Sequence, residues 1–150
     1  MQETGFSSLI ERFEKEIRKE KGSPITFAVN FLNKNVPHYN WVGIYMVENS
    51  DLVLRTYSGP KATEHTRIKI GFGICGLAAK EGKTIIVSDV SKDPRYISCF
   101  LETKSEIVTP IFKDGRVVGE IDIDSDYLGP FTDEDRKFLE KVANLLGRMI

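Results

Sequence analysis

The sequence of 150 residues is poor in cysteine, in tryptophan and in net charge. Two cysteines are too few for the disulfide framework of a small secreted protein, so a reduced, cytoplasmic setting is expected. The chain has 21 basic and 22 acidic side chains. It therefore lacks the surplus of positive charge typical of nucleic-acid-binding proteins or polybasic membrane surfaces. No apolar run reaches the ~18 residues that span a bilayer, and the first residues show no secretory signal. We therefore expect neither nucleic acid nor membrane as a partner.

Hydrophobic periodicity predicts helices at both ends of the chain and strands between them. Ser8 with Glu11 matches a capping box and places the start of a first helix there, while Ser23 caps a second helix and Thr132 a last one. At this length the chain can build one hydrophobic core, so residues 1–150 are expected to form a single domain. The predicted segments are N-terminal helices over about 7–36, a sheet and pocket over about 40–125, and a C-terminal helix over about 132–149.

The middle of the chain changes to a two-residue period, which is typical of strands. Asp114-Gly115 between apolar runs predicts a hairpin, and Pro110 inside the fifth strand predicts an edge or a bulge. A brief helix is expected around 75–80 and one helical turn after Asp93. Because hairpins dominate, we predict the α+β class, an antiparallel sheet with helices packed on it. The strands are predicted at 40–47, 52–58, 66–70, 84–88, 106–112 and 116–124.

Residues 71–76, Gly-Phe-Gly-Ile-Cys-Gly, match the G-x-G-x-x-G pattern of dinucleotide-binding loops, and Asp89 follows at a suitable distance. A dinucleotide-binding βαβ unit needs about 30 residues and a helix that crosses the sheet. Too few positions separate Ile70 from Thr84 for that helix. The pattern therefore predicts a tight turn that exposes the N-terminus of a short helix.

Each of the two cysteines has two interpretations. Cys75 lies at the predicted helix N-terminus, where the helix dipole favours a thiolate, but a small apolar residue in a crowded turn would look the same. Cys99 lies in the longest irregular stretch, with Arg95 and Lys104 near in sequence. That setting fits a thiol of lowered pKa or a loop residue packed under aromatic rings. From the residues alone, both pairs of interpretations stay open.

Three acidic residues alternate with isoleucines along the last predicted strand and therefore share one face of the sheet: Glu120, Asp122 and Asp124. Glu106 on the preceding strand could add a fourth carboxyl group. Composition favours a solvated face, whereas the functional interpretation is a pocket wall that binds an ammonium group. Crowded carboxyl groups raise one another's pKa, so one of them could stay protonated and act as an acid. Trp41 and Tyr45 share a strand face and are either core residues or the lining of a ligand box.

These residues resemble those of GAF domains and, within that group, those of free methionine-(R)-sulfoxide reductases. The spacing from Cys99 to Glu106, followed by the Asp122 and Asp124 pair, is the most specific part of the resemblance. The resemblance implies a six-stranded antiparallel sheet flanked by helices, often in a homodimer, with the substrate enclosed above one sheet face. The matching segments are 40–45, 66–68, 71–76, 88–90, 97–99, 105–108, 113–116, 121–125, 129–131 and 133–135.

The resemblance also implies an activity, the thiol-dependent reduction of free L-methionine-(R)-S-oxide to methionine. Cys99 would attack the sulfoxide sulfur and remain as a sulfenic acid after methionine leaves. A second thiol would condense with it, and thioredoxin or another thiol reductant would restore both, without a metal or an organic cofactor. By position, the resemblance assigns Glu106, Asp122 and Asp124 to substrate binding, Trp41 and Tyr45 to an aromatic box around the methylthio end, and Cys75 to a further cysteine of the motif.

Three positions depart from the family pattern. His65 stands where members usually carry the resolving cysteine, Phe100 where an acidic residue is common, and Glu120 at a usually apolar site. Either Cys75 resolves the sulfenic acid, or an external thiol does, or the chain binds a ligand without turnover. The last case is a non-catalytic GAF sensor module for a small amino acid or nucleotide, and a third hypothesis is an adaptor whose helices mediate assembly. His65 itself is either an auxiliary proton carrier or a structural residue.

Overall fold

Helices lie at both ends of the described chain, and the strands, with one short helix among them, lie between, as the sequence predicted. The computed structural model describes residues 2–60, 62–63, 65–96 and 103–150, and residues 2–4 by their backbone alone. In these residues the helices are α1 (Gln2–Lys19), α2 (Pro24–Asn35), α3 (Gly73–Glu81) and α4 (Asp133–Met149). The strands are β1 (Trp41–Glu48), β2 (Asp51–Ser58), β3 (Arg67–Lys69), β4 (Ile85–Val87), β5 (Ser105–Lys113) and β6 (Arg116–Ser125).

The six strands form one antiparallel sheet in the order β3-β2-β1-β6-β5-β4. The β1–β2 and β5–β6 hairpins meet at the centre, where β1 pairs with β6. At the tip of the second hairpin, Asp114 and Gly115 both have positive φ, as two-residue hairpin turns require. The predicted α+β class, with an antiparallel sheet flanked by helices, is confirmed.

The two faces of the sheet pack against different helices. One face, which includes Ile121 and Ile123 of β6, packs on α1, α2 and α4 through residues such as Phe13, Leu32 and Leu139. The other face packs on α3 through Ile74 and Ala78, among other residues. Because side chains alternate along a strand, the acidic residues of β6 project from this second face.

The first helix begins earlier than the sequence predicted. Ser8 lies inside α1, which starts at Gln2, so the predicted capping box at Ser8 and Glu11 is wrong. The ring of Phe6 stacks on Phe138 of α4 with 4.7 Å between the ring centroids. This tertiary contact stabilises an additional helical turn that the local sequence signals did not indicate.

The other helix signals were more accurate. The Ser23 hydroxyl caps α2, and Thr132 caps α4 through a full capping box. The sequence predicts a helical turn after Asp93; the described residues place one before it, at Val90–Lys92, and residues 97–102 lie outside them. The reason is that the Asp89 carboxylate accepts a hydrogen bond from a backbone N–H inside this turn and thereby caps it. No described helix is long and apolar enough to cross a membrane.

Pro110 lies in the part of β5 that does not pair with β4. The last pair between β4 and β5 joins Ile85 to Val108, so the described residues provide no strand beside Pro110 on the β4 side. A register shift with β6 follows directly, between Ile111 and Phe112. Both features agree with the predicted edge or bulge.

The glycine-rich segment forms the predicted tight turn into α3. Gly71 and Gly73 have φ values of +100° and +67°, in the region that favours glycine. A side chain on Gly76 would come within 2.6 Å of the carbonyl oxygen of Lys69. The turn leads into an antiparallel sheet, which leaves no βαβ unit among the described residues and excludes the dinucleotide-binding interpretation.

Candidate functional site

Three cross-strand rows of residues occupy the sheet face beneath α3. Residues paired across antiparallel strands project to the same face, so the carboxyl-bearing residues of β5 and β6 lie side by side. The rows are Trp41, Asp124 and Glu106; Gly43, Asp122 and Val108; and Tyr45, Glu120 and Pro110.

The four carboxyl groups on this face are buried. Glu106, Glu120, Asp122 and Asp124 are each at most 5% exposed, and Glu120 is fully buried. The solvated face that composition favoured is therefore wrong, because α3 covers these strands. Acidic side chains are almost never fully buried without partners. Their burial supports the alternative interpretation, a pocket wall.

Cys75 of α3 lies against these carboxyl groups. Its Sγ atom is 3.9 Å from Oε2 of Glu106, and Cys75, Glu106 and Asp122 each offer one atom within 4.8 Å of the others. We call these three residues the acid–thiol cluster. Burial, followed by the negative charge of Asp122, raises the pKa of the Cys75 thiol well above its usual value. Desolvation therefore outweighs the helix dipole and favours the protonated thiol of Cys75 in the absence of a ligand.

The same environment favours the protonated form of the carboxyl groups. Burial and then the charge of Asp122 raise the pKa of Glu120 and that of Asp124 well above their usual values. Burial also raises the pKa of Asp122, although hydrogen bonds with Glu106 and Cys75 oppose the rise. The direction of these shifts is the one that a protonated carboxyl group at this site requires.

A small cavity of about 20 Å³ adjoins the acid–thiol cluster. His65 lines it together with the cluster and with apolar residues, among them Ile68 and Ile74. This volume is enough for about one water molecule. A ligand as large as an amino acid therefore requires the cavity to open.

The two predicted aromatic-box residues, Trp41 and Tyr45, are both buried. The Tyr45 hydroxyl donates a 2.7 Å hydrogen bond to the backbone carbonyl of His65 and so positions one cavity wall. The Trp41 ring lies against Gly43 and stacks on Tyr57, with ring centroids 5.7 Å apart. Both side chains are buried, and neither lines the described cavity.

Cys99, the predicted attacking thiol, lies outside the described residues, as does Phe100. The described residues on either side lie at the acidic face. Tyr96 packs against the buried cluster beneath α3, and Thr103 forms a hydrogen bond that opposes the rise in the pKa of Asp124. The Lys104 N–H donates to the carbonyl of Ser125, which ties the start of β5 to the end of β6.

Sequence reasoning missed one polar network. The Nε2 atom of His38 is 2.8 Å from Asp135 Oδ1, and the Tyr39 hydroxyl donates to the same oxygen at 2.8 Å. The only signal for this contact was an acidic residue at the capping-box position of α4. The network joins α4 to the chain before β1 and plays a structural part.

Comparison with known proteins agrees with this architecture. The sequence model of the GAF domain matches residues 35–150. GAF domain-containing protein A of Dictyostelium discoideum is 38% identical over 146 residues, which cover 96% of this chain and 91% of that protein. Free methionine-R-sulfoxide reductase of Saccharomyces cerevisiae is 46% identical over 114 residues, which cover 73% of this chain and 62% of that protein.

A solved structure agrees over nearly the whole chain. The free methionine-R-sulfoxide reductase of Neisseria meningitidis, in complex with its substrate, superposes with a TM-score of 0.91 at 32% identity. The match covers 99% of this chain and 89% of that one. Sequence, sheet order and this superposition lead to one assignment: the chain belongs to the GAF domain family.

Proposed function

We propose that this chain reduces free L-methionine-(R)-S-oxide to methionine with thiols as the reductant. The observation that carries the proposal is the convergence of Cys75, Glu106, Asp122 and Asp124 on one buried sheet face. The relatives in S. cerevisiae and N. meningitidis that share this fold bear the name of such reductases.

The acidic face suits the charged end of an amino acid. Glu106, Asp122 and Asp124 would bind the ammonium group, and its positive charge would favour the ionised form of these carboxyl groups. Trp41, in the same row as Asp124, and Tyr45 would then enclose the methylthio end. The cavity must open for this, because its present volume of about 20 Å³ fits one water molecule.

The reaction would proceed through Cys99. Its thiolate attacks the sulfoxide sulfur, and a protonated carboxyl group transfers its proton to the oxygen. The bond that forms between Cys99 Sγ and the substrate sulfur breaks again as the oxygen passes from that sulfur to Sγ. Methionine then leaves, and Cys99 becomes a sulfenic acid. The substrate is thereby reduced by two electrons and Cys99 is oxidised by two.

A second thiol would then remove the sulfenic acid. Cys75 is our first candidate, since it replaces the usual resolving cysteine, whose position is taken by His65. Condensation releases water and forms a disulfide, which thioredoxin or another thiol reductant reduces. His65 would assist as a proton carrier, because it lines the cavity and lies near Asp122. If Cys75 does not react, an external thiol takes its place.

Other properties remain predictions that rest on the resemblance and the composition. We expect residues 1–150 to form one GAF domain, a homodimer, and a cytoplasmic location. We also expect turnover without an added metal or organic cofactor. Sedimentation of the purified chain would test the dimer, and assays in chelator-treated buffer would test the cofactor expectation.

The decisive experiment is turnover of the separated R and S epimers of free methionine sulfoxide, first with dithiothreitol and then with thioredoxin. We expect product from the R epimer, none from Cys99→Ser, and a strong loss in Asp122→Asn. Asp126→Asn is the matched control, because this exposed carboxylate lies on the same chain segment outside the pocket. Folded, reduced protein that turns over with neither reductant would remove the proposal.

A non-catalytic sensor of a small amino acid or nucleotide is the second candidate. The observation that favours it is His65 at the position of the usual resolving cysteine. In that case ligand binding would saturate and survive Cys99→Ser, and no product would form. The adaptor hypothesis would gain from a sheet face without a cavity, and it receives no such support because a cavity adjoins Cys75.

A further inference from the structure

We propose that the acid–thiol cluster, together with His65, binds a single divalent cation of the zinc type, which competes with the substrate. The cation site itself does not depend on the proposed reductase activity. The competition does, because Glu106 and Asp122 are also the proposed ligands of the substrate's ammonium group.

The distances within the cluster approach those around zinc. Zn–S bonds of about 2.3 Å and Zn–O bonds of about 2.0–2.2 Å place a sulfur and an oxygen roughly 3.6 Å apart around a tetrahedral ion. Cys75 Sγ and Glu106 Oε2 are 3.9 Å apart, and the Asp122 atom lies within 4.8 Å of both. Side-chain movements of a few tenths of an ångström to about one ångström would bring the three ligand atoms to the distances found around a zinc ion.

An unpartnered atom points to a missing ligand. Oδ1 of Asp122 is buried in the wall of the cavity and has no hydrogen-bond partner among the described residues. A buried carboxyl oxygen without a partner destabilises the folded chain unless a donor or a cation reaches it. Among the described residues that line the cavity there is no lysine or arginine to supply that charge.

The cavity has room for one ion, and His65 in its wall would become a fourth ligand after its side chain moves, since it is not among the three residues whose atoms lie within 4.8 Å of one another. The cavity volume of about 20 Å³ fits one water-sized species. His65 lines the same cavity, and the hydrogen bond from Tyr45 to its carbonyl holds its backbone in place. The family resemblance predicts a cysteine at position 65, and the histidine found there is also a residue type that binds zinc.

The donor set selects the class of cation. A thiolate and an imidazole beside two carboxylates suit zinc and similar transition metals, whereas magnesium and calcium prefer oxygen ligands alone. Coordination of Cys75 as a thiolate releases its proton to solvent and involves no oxidation. A bound ion would neutralise the charge that otherwise attracts the ammonium group, and it would occupy the same carboxylates. Substrate and cation therefore exclude each other.

The test uses the full chain with Cys99→Ser, so that Cys75 is the remaining thiol. Titration calorimetry with ZnCl₂ should give one ion per chain. Cobalt(II) should produce a near-ultraviolet thiolate-to-metal charge-transfer band, which reports directly on Cys75 without altering the pocket. A further Cys75→Ser, Asp122→Asn or His65→Ala substitution should weaken zinc binding by at least about tenfold. His38→Ala is the matched control and should leave the affinity unchanged.

Three results would overturn the site: no saturable zinc binding, no cobalt–thiolate band, or an unchanged affinity in both Cys75→Ser and Asp122→Asn. An unchanged affinity in His65→Ala alone would remove the fourth ligand. In the parent chain, zinc should raise the KM for methionine sulfoxide and leave kcat unchanged once substrate saturates. Because the binding measurements need no turnover, failure of the reductase proposal would leave them interpretable.

Discussion

The Tyr45 hydroxyl donates a 2.7 Å hydrogen bond to the backbone carbonyl of His65, and this bond joins the centre of the sheet to the cavity wall. Tyr45 is fully buried on β1, whereas His65 precedes β3 near the edge of the sheet. The bond therefore holds a peripheral segment against the site.

Tyr45→Phe should loosen that segment. Loss of one hydrogen bond should lower the free energy of unfolding by about 0.5–1.5 kcal/mol, measured by chemical denaturation. If the chain turns over, the KM for substrate should rise more than kcat falls, because positioning is affected first. Tyr57→Phe, at a residue 40% exposed, is the control and should have little effect. Equal losses in both variants would contradict the role given to Tyr45.

Cys75 should react slowly with thiol reagents in the folded chain. It is buried, and its pKa is raised by that burial and by neighbouring carboxylates, so little thiolate forms at neutral pH. In a Cys99→Ser background, alkylation by iodoacetamide should be at least about tenfold slower in buffer than in denaturant. Mass spectrometry of digests at timed intervals measures the rate. Equal rates in both solvents would show that the thiol is exposed.

Oxidation should couple the two cysteines if Cys75 is the resolving thiol. Peroxide treatment of the parent chain should yield a Cys75–Cys99 disulfide, detected by mass mapping of unreduced peptides. Bridged cysteines have Cα atoms about 4.4–6.8 Å apart, so the bond requires the two segments to approach. A sulfenic acid trapped at Cys99 without any bridge would instead indicate an external thiol.

Replacement of Glu120 by leucine should stabilise the protein. The Glu120 side chain is fully buried, and neither carboxyl oxygen has a hydrogen-bond partner among the described residues. Removing such a group should raise the free energy of unfolding by about 1–3 kcal/mol, measured by urea denaturation. Glu120→Gln keeps polar atoms at the same place and should gain less. A leucine variant less stable than the glutamine variant would show that the carboxyl group has a favourable partner.

Asp135 should make stability depend on pH. Burial alone would raise the pKa of Asp135, but hydrogen bonds from His38, Thr132 and Tyr39 outweigh it and lower the pKa. A lowered pKa in the folded state stabilises the fold above the unfolded value of about 3.9. That stability is lost as pH falls through the folded pKa.

Asp135→Asn should therefore lower the free energy of unfolding at neutral pH by about 1.5–3 kcal/mol and flatten its dependence below pH ~4. Denaturant melts at a series of pH values measure both effects. Glu134→Gln, in the same helical turn, is the control and should leave the dependence of stability on acidic pH unchanged. If the free energy of unfolding of Asp135→Asn falls as steeply with decreasing pH as that of the parent chain, the acid dependence belongs to other groups.

Features that depend on local sequence could be predicted, and those that depend on distant contacts could not. The alternation on β6 placed Glu120, Asp122 and Asp124 on one face, and the turn at Asp114 placed the hairpin. Burial of that face follows from the packing of α3, which no pattern within β6 encodes. Composition therefore favoured a solvated face, and the structure reverses that interpretation.

The same limit applies to the helices and to His38. The extra turn of α1 depends on stacking between Phe6 and Phe138, which are far apart in the chain. The contact between His38 and Asp135 spans 97 positions. Local capping signals were correct at Ser23 because the partner there is only three residues away.

Pro110 has a consequence for how the protein behaves in concentrated solution. Beyond Val108, no described strand pairs with β5 on its β4 side. An unpaired strand edge can recruit another chain and begin aggregation, and burial of residues 109–111 already limits access to this one. Proline cannot donate to such a ladder, so its presence makes this stretch a poor template for intermolecular strand addition.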